Sequence, residues 1–225
     1  MTVMLHRPPM PPLGPDLARR WGAISTTVTA DLFEGRTLAD PAIRPLRRMG
    51  AGPRLVGRAV TVRVNPPDFG AVLHAIDHAG RGDVLVIATG GHTGVAVVGD
   101  ILGGAARRKG VAGIVCDGAV RDIAVLADWS DFPVFARAST ARGPSSKLHG
   151  TVNATVSFGG VAVEPGALVI GDDDGLVILP PGEAEALIPA AEARVAAEAV
   201  WVKRIDAGES LREVFGAPDP TVEER

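Results

Sequence analysis

The chain has 225 residues, and 23 Lys+Arg against 26 Asp+Glu leave a net charge of -3. That length fits one ordinary domain, and the balanced charge with only 4% aromatic residues disfavours a general nucleic-acid binder, which needs a basic face and stacking rings. Hydrophobic residues at 46% and charged residues at 22% exclude disorder for the body, while 28 Gly and 18 Pro point to many turns and short strands.

Residues 1–15 are expected to form an extended arm, since the segment is rich in proline and lacks the apolar core of a signal peptide. One domain should follow over 16–216, with a loose polar tail at 217–225. Asp16–Trp21 reads as a short helix with Asp16 as N-cap. The hydroxyl-rich Ser25-Thr26-Thr27 turn leads into a second helix over Val28–Phe33. Leu55–Val64 is a β-branched strand ended by Pro66-Pro67, and Ala71–Ala79 a short helix. Val84–Ala88 is a fully apolar strand of the kind buried on both faces. A Gly-rich loop, Gly90–Gly94, precedes a helix expected over Val97–Lys109 and stopped by Gly110.

Gly113–Cys116 is the next buried strand, followed by a loop from Asp117 to Asp122 and a short helix to about Ala127. Phe132–Phe135 is a further strand. Thr151–Phe158, Val161–Val163, Leu168–Ile170 and Leu176–Leu179 then read as short antiparallel or barrel-like β segments. A helical stretch over Glu183–Ala207 closes the chain, with Pro189 expected to kink or restart it and Gly208 to stop it. The sum is an α/β layered fold with one mixed core. Cys116, the single cysteine, excludes an internal disulfide and suits a reducing cytoplasm; its apolar neighbours make it a core residue rather than a nucleophile. No apolar run reaches the length of a transmembrane helix.

Chemistry is expected where two buried strands empty into loops. In α/β sheets ligands collect beyond the carboxyl ends of such strands. The first loop leads to Gly99-Asp100-Ile101-Leu102 at a helix start, where backbone N–H groups can bind a carboxylate; Asp100 there is equally readable as a helix cap. The second ends in Arg121-Asp122, a planar cationic fork beside a hard oxygen donor, or simply a surface ion pair. Asp172-Asp173-Asp174-Gly175 departs from the EF-hand pattern and reads as a tight turn. His74 and His78 read as helix-surface residues, His92 as a pocket candidate, and Ser145-Ser146-Lys147 as loop.

The ordered set Ser25–Asp31, Gly82–Val86, Gly99–Leu102, Gly110–Gly118, Val120–Asp122 and Asp172–Pro180 resembles one family. It contains the regulator of ribonuclease activity A and the class II pyruvate aldolases for 4-hydroxy-4-methyl-2-oxoglutarate and 4-carboxy-4-hydroxy-2-oxoadipate. The resemblance implies a β/β/α swivelling-domain-like fold with mixed sheets and a long C-terminal helix, assembled as a trimer or a dimer of trimers. It also implies a lyase that cleaves such 2-oxo acids to pyruvate through a metal-stabilised enolate, with oxaloacetate decarboxylase side activity. Backbone amides of Gly99, Asp100, Ile101 and Leu102 would bind the 2-oxo carboxylate, and Arg121 would hold the same end and stabilise the enolate. Asp122 would ligate Mg²⁺, Mn²⁺ or another divalent cation, Asp100 would bind water in its outer sphere, and Glu198 would reach the site of a neighbouring subunit. No Schiff-base lysine is needed, and Lys109, Lys147 and Lys203 end no buried strand. The implied partners are a small 2-oxo acid and further copies of the chain, in the cytoplasm, with neither nucleic acid nor membrane. The alternatives are a non-catalytic regulator that binds an endoribonuclease, or a lyase for another 2-oxo acid. Val98, the proline-rich arm and the Arg44–Arg48 stretch depart from the family pattern.

Overall fold

A computed structural model describes residues 2–33, 35, 37–50 and 54–223. The chain opens with β1 (Met4–Leu5), α1 (Pro15–Gly22), α2 (Thr26–Leu32), β2 (Arg44–Pro45), β3 (Leu55–Arg63), α3 (Gly70–His78) and β4 (Asp83–Ala88). Next come β5 (Ala96–Val98), α4 (Asp100–Lys109), β6 (Gly113–Val120), α5 (Ile123–Asp128) and β7 (Val134–Ser139). The last third holds β8 (Thr151–Val152), β9 (Val156–Phe158), β10 (Val161–Val163), β11 (Leu168–Asp172), β12 (Gly175–Leu179), α6 (Glu183–Asp206) and α7 (Leu211–Phe215).

Among the described residues ten strands form one mixed sheet, with β1-β8-β3-β4-β6-β7-β2 as its main path and β5, β11 and β12 joined to it. The centre is parallel: β3 pairs with β4, β4 with β6, and β6 with β7. β9 and β10 form a separate antiparallel pair. Side chains alternate across the pleat. Leu85 and Ile87 therefore face α3, α4 and α5, packed with Val72, Ile76, Ala106 and Leu126. Val84 and Val86 face the other way, onto Val156, Phe158, Val163 and Leu176. A third cluster joins α1, α2 and α6 to β11 and β12 through Trp21, Val28, Ile170, Val177 and Ile188. This is the α/β layered fold with mixed sheets and a long C-terminal helix that the sequence implied.

Several boundaries differ from expectation, each for a local reason. Gly14, not Asp16, is the N-cap of α1; Pro15 takes the first helical position, where its missing N–H costs nothing, and Asp16 sits in the first turn. Val97 and Val98 lie in β5 rather than in the following helix, because Ala96 and Val98 pair with Ala119 and Val120 of β6. α4 therefore starts only at Asp100. β6 runs through the stretch expected as loop, with a register shift between Cys116 and Ala119. Burial of Asp117 there is made tolerable by Arg137, whose Nε and Nη2 donate to Asp117 Oδ1 at 2.8 and 2.7 Å. Arg137 Nη1 donates to Asp40 Oδ2 at 2.8 Å, which ties three chain segments together. α6 continues past Pro189 as one helix and ends before Gly208, whose φ is +89°. The arm is anchored: Met4 and Leu5 pair in parallel with Thr151 and Val152. No helix among the described residues is long and apolar enough to cross a membrane.

Cys116 is fully buried in β6, and burial together with the nearby Asp117 charge pushes its thiol up to about 12. A thiol held protonated and shielded is a poor nucleophile. An aromatic disulfide reagent should therefore titrate no thiol in the native protein and one after unfolding in guanidinium.

Candidate active site

The end of β6 carries Arg121 and Asp122 to the start of α4. The Arg121 N–H donates to the Val98 carbonyl at 3.0 Å, which continues the β5–β6 pairing by one residue. Asp122 then turns into the left-handed region (φ 58°, ψ 41°) and becomes the N-cap of α5. An Asp tolerates that conformation better than most residues. Its carboxylate does not cap α5. Oδ2 instead accepts the Asp100 N–H at 3.2 Å and lies 3.4 Å from Arg121 Nε. One carboxylate thus links the β6 end to the first turn of α4.

Gly99 is the N-cap of α4 and supplies no capping side chain, and Asp122 takes only the Asp100 N–H of this helix end. Its missing Cβ matters sterically. A Cβ there would overlap Asp122 Oδ2 and come 2.9 Å from Arg121 Cγ and 3.1 Å from Nε. The N–H groups of Ile101 and Leu102 have no acceptor among the described residues and stand at the positive end of the helix dipole. A cavity of about 290 Å³ opens over this turn, lined by Phe69, Val98, Ile101, Leu102, Arg121 and Pro144 among others. A second cavity of about 420 Å³ lies against Arg121, Asp122, Ile123 and Ser139–Ala141. Arg121 borders both.

The arrangement can hold a small anion. Backbone N–H groups and a guanidinium address a carboxylate. It also suits a hard divalent cation. No group of three His, Cys, Asp or Glu gathers among the described residues. Such an ion would rely on Asp122, with water and substrate oxygens completing the shell, which Mg²⁺ accepts.

A family model described as "RraA-like: Aldolase/RraA" matches residues 25–178, a span that contains every part of this cleft. The chain belongs to the RraA-like family. It is 36% identical over 181 residues, 80% of this chain and 84% of the relative, to a Halalkalibacterium halodurans protein named "Putative 4-hydroxy-4-methyl-2-oxoglutarate aldolase". Among solved structures it resembles the RNA-processing inhibitor RraA from Thermus thermophilis (32% identity, TM-score 0.62, 70% of this chain and 93% of that one). It also resembles Streptomyces coelicolor RraAS2, described as an unusual member of the RNase ES inhibitor RraA protein family (28% identity, TM-score 0.74, 85% and 98%).

In this RraA-like chain Gly99, Ile101, Leu102 and Arg121 line one cavity, Arg121 and Asp122 line the next, and Asp100 lines neither but is tied to Asp122 through its backbone N–H. Glu198 does not join them within a single chain. Arg194 Nε donates to Glu198 Oε1 at 3.1 Å, Arg194 also bonds Asp31 at 3.2 Å, and its guanidinium lies 4.8 Å from the Trp201 ring centre. No residue lining the two cavities comes from α6. His92 is exposed in its loop, and His74 and His78 are exposed on α3. Asp173 and Asp174 form the β11–β12 turn as expected, while Asp172 is buried, accepting from Thr26 Oγ1 at 2.5 Å and pairing with Arg54 at 3.2 Å.

Sequence reading missed Phe69 and Pro144 on the cavity wall. The only available signal for either was a Pro-containing turn, Pro66-Pro67 and Gly143-Pro144, flanking a helix or strand.

Proposed function

We propose that this chain is a divalent-metal-dependent pyruvate aldolase that cleaves 4-hydroxy-4-methyl-2-oxoglutarate-type 2-oxo acids, with oxaloacetate decarboxylase side activity. The observation that carries this reading is the meeting of Arg121 and Asp122 with the first turn of α4, whose Ile101 and Leu102 N–H groups have no acceptor among the described residues. The Ile101 and Leu102 N–H groups and the Arg121 fork would bind the 2-oxo carboxylate. Arg121 then supplies fixed positive charge where the enolate develops, at no cost of reorientation during the reaction. Asp100, in the same helical turn, would hold a water that takes the proton from the C4 hydroxyl. Mg²⁺ or Mn²⁺, held by Asp122, supplies Lewis-acid polarisation of the 2-oxo group when bound.

The same site serves oxaloacetate, because its decarboxylation yields the same enolate. Glu198 would act on the site of a neighbouring copy in a trimer or a dimer of trimers. The exposed Val195 and Val202, on the same face of α6 as Glu198, support burial of that helix face in such an assembly. The substrate is small and acidic, and the reading places the protein in the cytoplasm without nucleic-acid or membrane partners.

Pyruvate release from 4-hydroxy-4-methyl-2-oxoglutarate and from oxaloacetate, followed with Mg²⁺ and with excess chelator, tests the reading. Release with the metal and its loss with the chelator are expected. Release that ignores the chelator sinks the metal-dependent mechanism. A second reading, a protein-binding inhibitor of RNA processing, is favoured by the descriptions of the two solved relatives. Capture of an endoribonuclease by the immobilised protein, with a fall in its activity, would support that reading.

A further inference from the structure

The aldolase reading gives no task to Asp68, although it is one of the few carboxylates buried in the molecule. Its Oδ1 accepts the Gly70 N–H at 2.8 Å at the start of α3. Oδ2 faces the other way, accepting the Leu148 N–H at 3.0 Å and the Ser146 hydroxyl. Burial by itself raises the pKa of this carboxyl. The hydrogen bonds from Ser146, Gly70, Leu148 and His149 outweigh it and hold the pKa down to about 2, so the group is an anion throughout the working range.

Backbone bonds double the link. Ser145 and Ser146 N–H donate to the Pro67 carbonyl at 3.0 and 3.2 Å, and the Phe69 N–H donates to the Ser146 carbonyl at 2.9 Å. Upstream, the Arg142 carbonyl accepts the Ala96 N–H of β5 at 2.8 Å. The segment 142–148 is thus fastened at both ends. Between the fastenings lie Gly143 and Pro144. A Cβ at Gly143 would run into Arg121 Nη1, so the backbone there is pressed against the guanidinium. Pro144 and Phe69, from the two sides of the Asp68 link, both wall the cavity that Arg121 borders. The Gly70 N–H engages only Oδ1; the second oxygen is given to this wall.

We propose that Asp68 is a positioning residue: by fixing the 142–148 segment it holds Gly143 and Pro144 against Arg121 and sets where the guanidinium meets the substrate carboxylate. The proposal rests on the aldolase reading only for its kinetic consequence. Losing a hydrogen bond to a charged group changes energies enough to alter rates by about tenfold or more.

The test is Asp68→Asn, measured with oxaloacetate in Mg²⁺ alone and in an Arg121→Ala background. Asp68→Asn is expected to lower kcat/KM about tenfold in the otherwise native enzyme and less than about twofold once Arg121 is gone, because coupled residues are not additive. Ser146→Ala, which removes one donor, should lower it about threefold. An equal loss in both backgrounds, or a lower thermal midpoint with unchanged kcat/KM, would overturn the proposal.

The second readout needs no turnover: the Arg121 Nε–H resonance, assigned by its disappearance in Arg121→Lys, should shift in Asp68→Asn. If the native protein releases no pyruvate, the aldolase reading fails and this resonance alone decides; an unmoved signal then rejects the positioning role.

Discussion

Asp122→Ala should lower pyruvate release by on the order of 10³-fold in kcat/KM, since on the proposed function it would remove the anchor of the cation and the charge beside Arg121 together. The expected cause is chemical, not structural. Asp122 is half-exposed and belongs to none of the core clusters, so the thermal midpoint should move little. Asp122→Asn is the sharper variant. Asn accepts the left-handed conformation at φ 58° and keeps an oxygen for the Asp100 N–H, but it is a far weaker ligand for a hard cation. Calorimetric titration with Mn²⁺ and 2-oxo acid should show weakened metal binding in both variants. Retained activity in Asp122→Ala would remove the residue from the mechanism.

The second large effect comes from a single methyl group. Gly99 has φ -145°, extended backbone that alanine adopts freely, so Gly99→Ala should fold. The obstacle is the 2.9 and 3.1 Å approaches to Arg121 and the overlap with the Asp122 carboxylate. Those atoms are side-chain groups that can swing away, and in doing so they leave their working positions. Misplacement by about an ångström can cost on the order of 10²-fold. The expected result is a loss of that size in kcat/KM at an unchanged thermal midpoint. Gly99→Ser should be at least as severe. Native kinetics in Gly99→Ala would mean that Arg121 and Asp122 do not act from the positions described.

How far the sequence carried depends on whether a feature is local. Val84–Ala88 was legible as a strand buried on both faces because five consecutive apolar residues leave no polar face. Ser25 was legible as the turn before a helix, and its hydroxyl accepts the Val28 N–H at 3.2 Å. Val97 and Val98 were misread because their β-branched character was outweighed by the helical pattern that follows them; only pairing with β6 decides their state. Asp117-Gly118 looked like loop because polar and glycine residues rarely sit inside a strand, and the partner that makes this tolerable, Arg137, is 20 residues away. In the site, Gly99–Leu102 and Arg121-Asp122 were readable as strand-end loops. Their contact across 22 residues was not, nor were Phe69 and Pro144, which come to the cleft from distant segments, nor the Asp68 link behind them. Glu198 shows the limit differently: the site proposed for it would lie on another copy of the chain.

The Arg137 clamp on the buried Asp117 has a bearing on ligand affinity. Asp117 sits in β6 four residues before Arg121, and Arg137 fastens it to β7 and to Asp40 while the Gly159 N–H donates to its second oxygen at 3.3 Å. Each of these ties would have to break for the end of β6 to take a different path. These ties fasten the floor under Arg121 and Asp122 in the arrangement described. A protein whose competent form is only a minor population binds more weakly by that fraction. On the proposed function the competent form would be the ground state, and affinity for a small acid would be set by the contacts themselves. Structures with and without a 2-oxo acid should superimpose over β6 and differ only in side-chain rotamers at its tip.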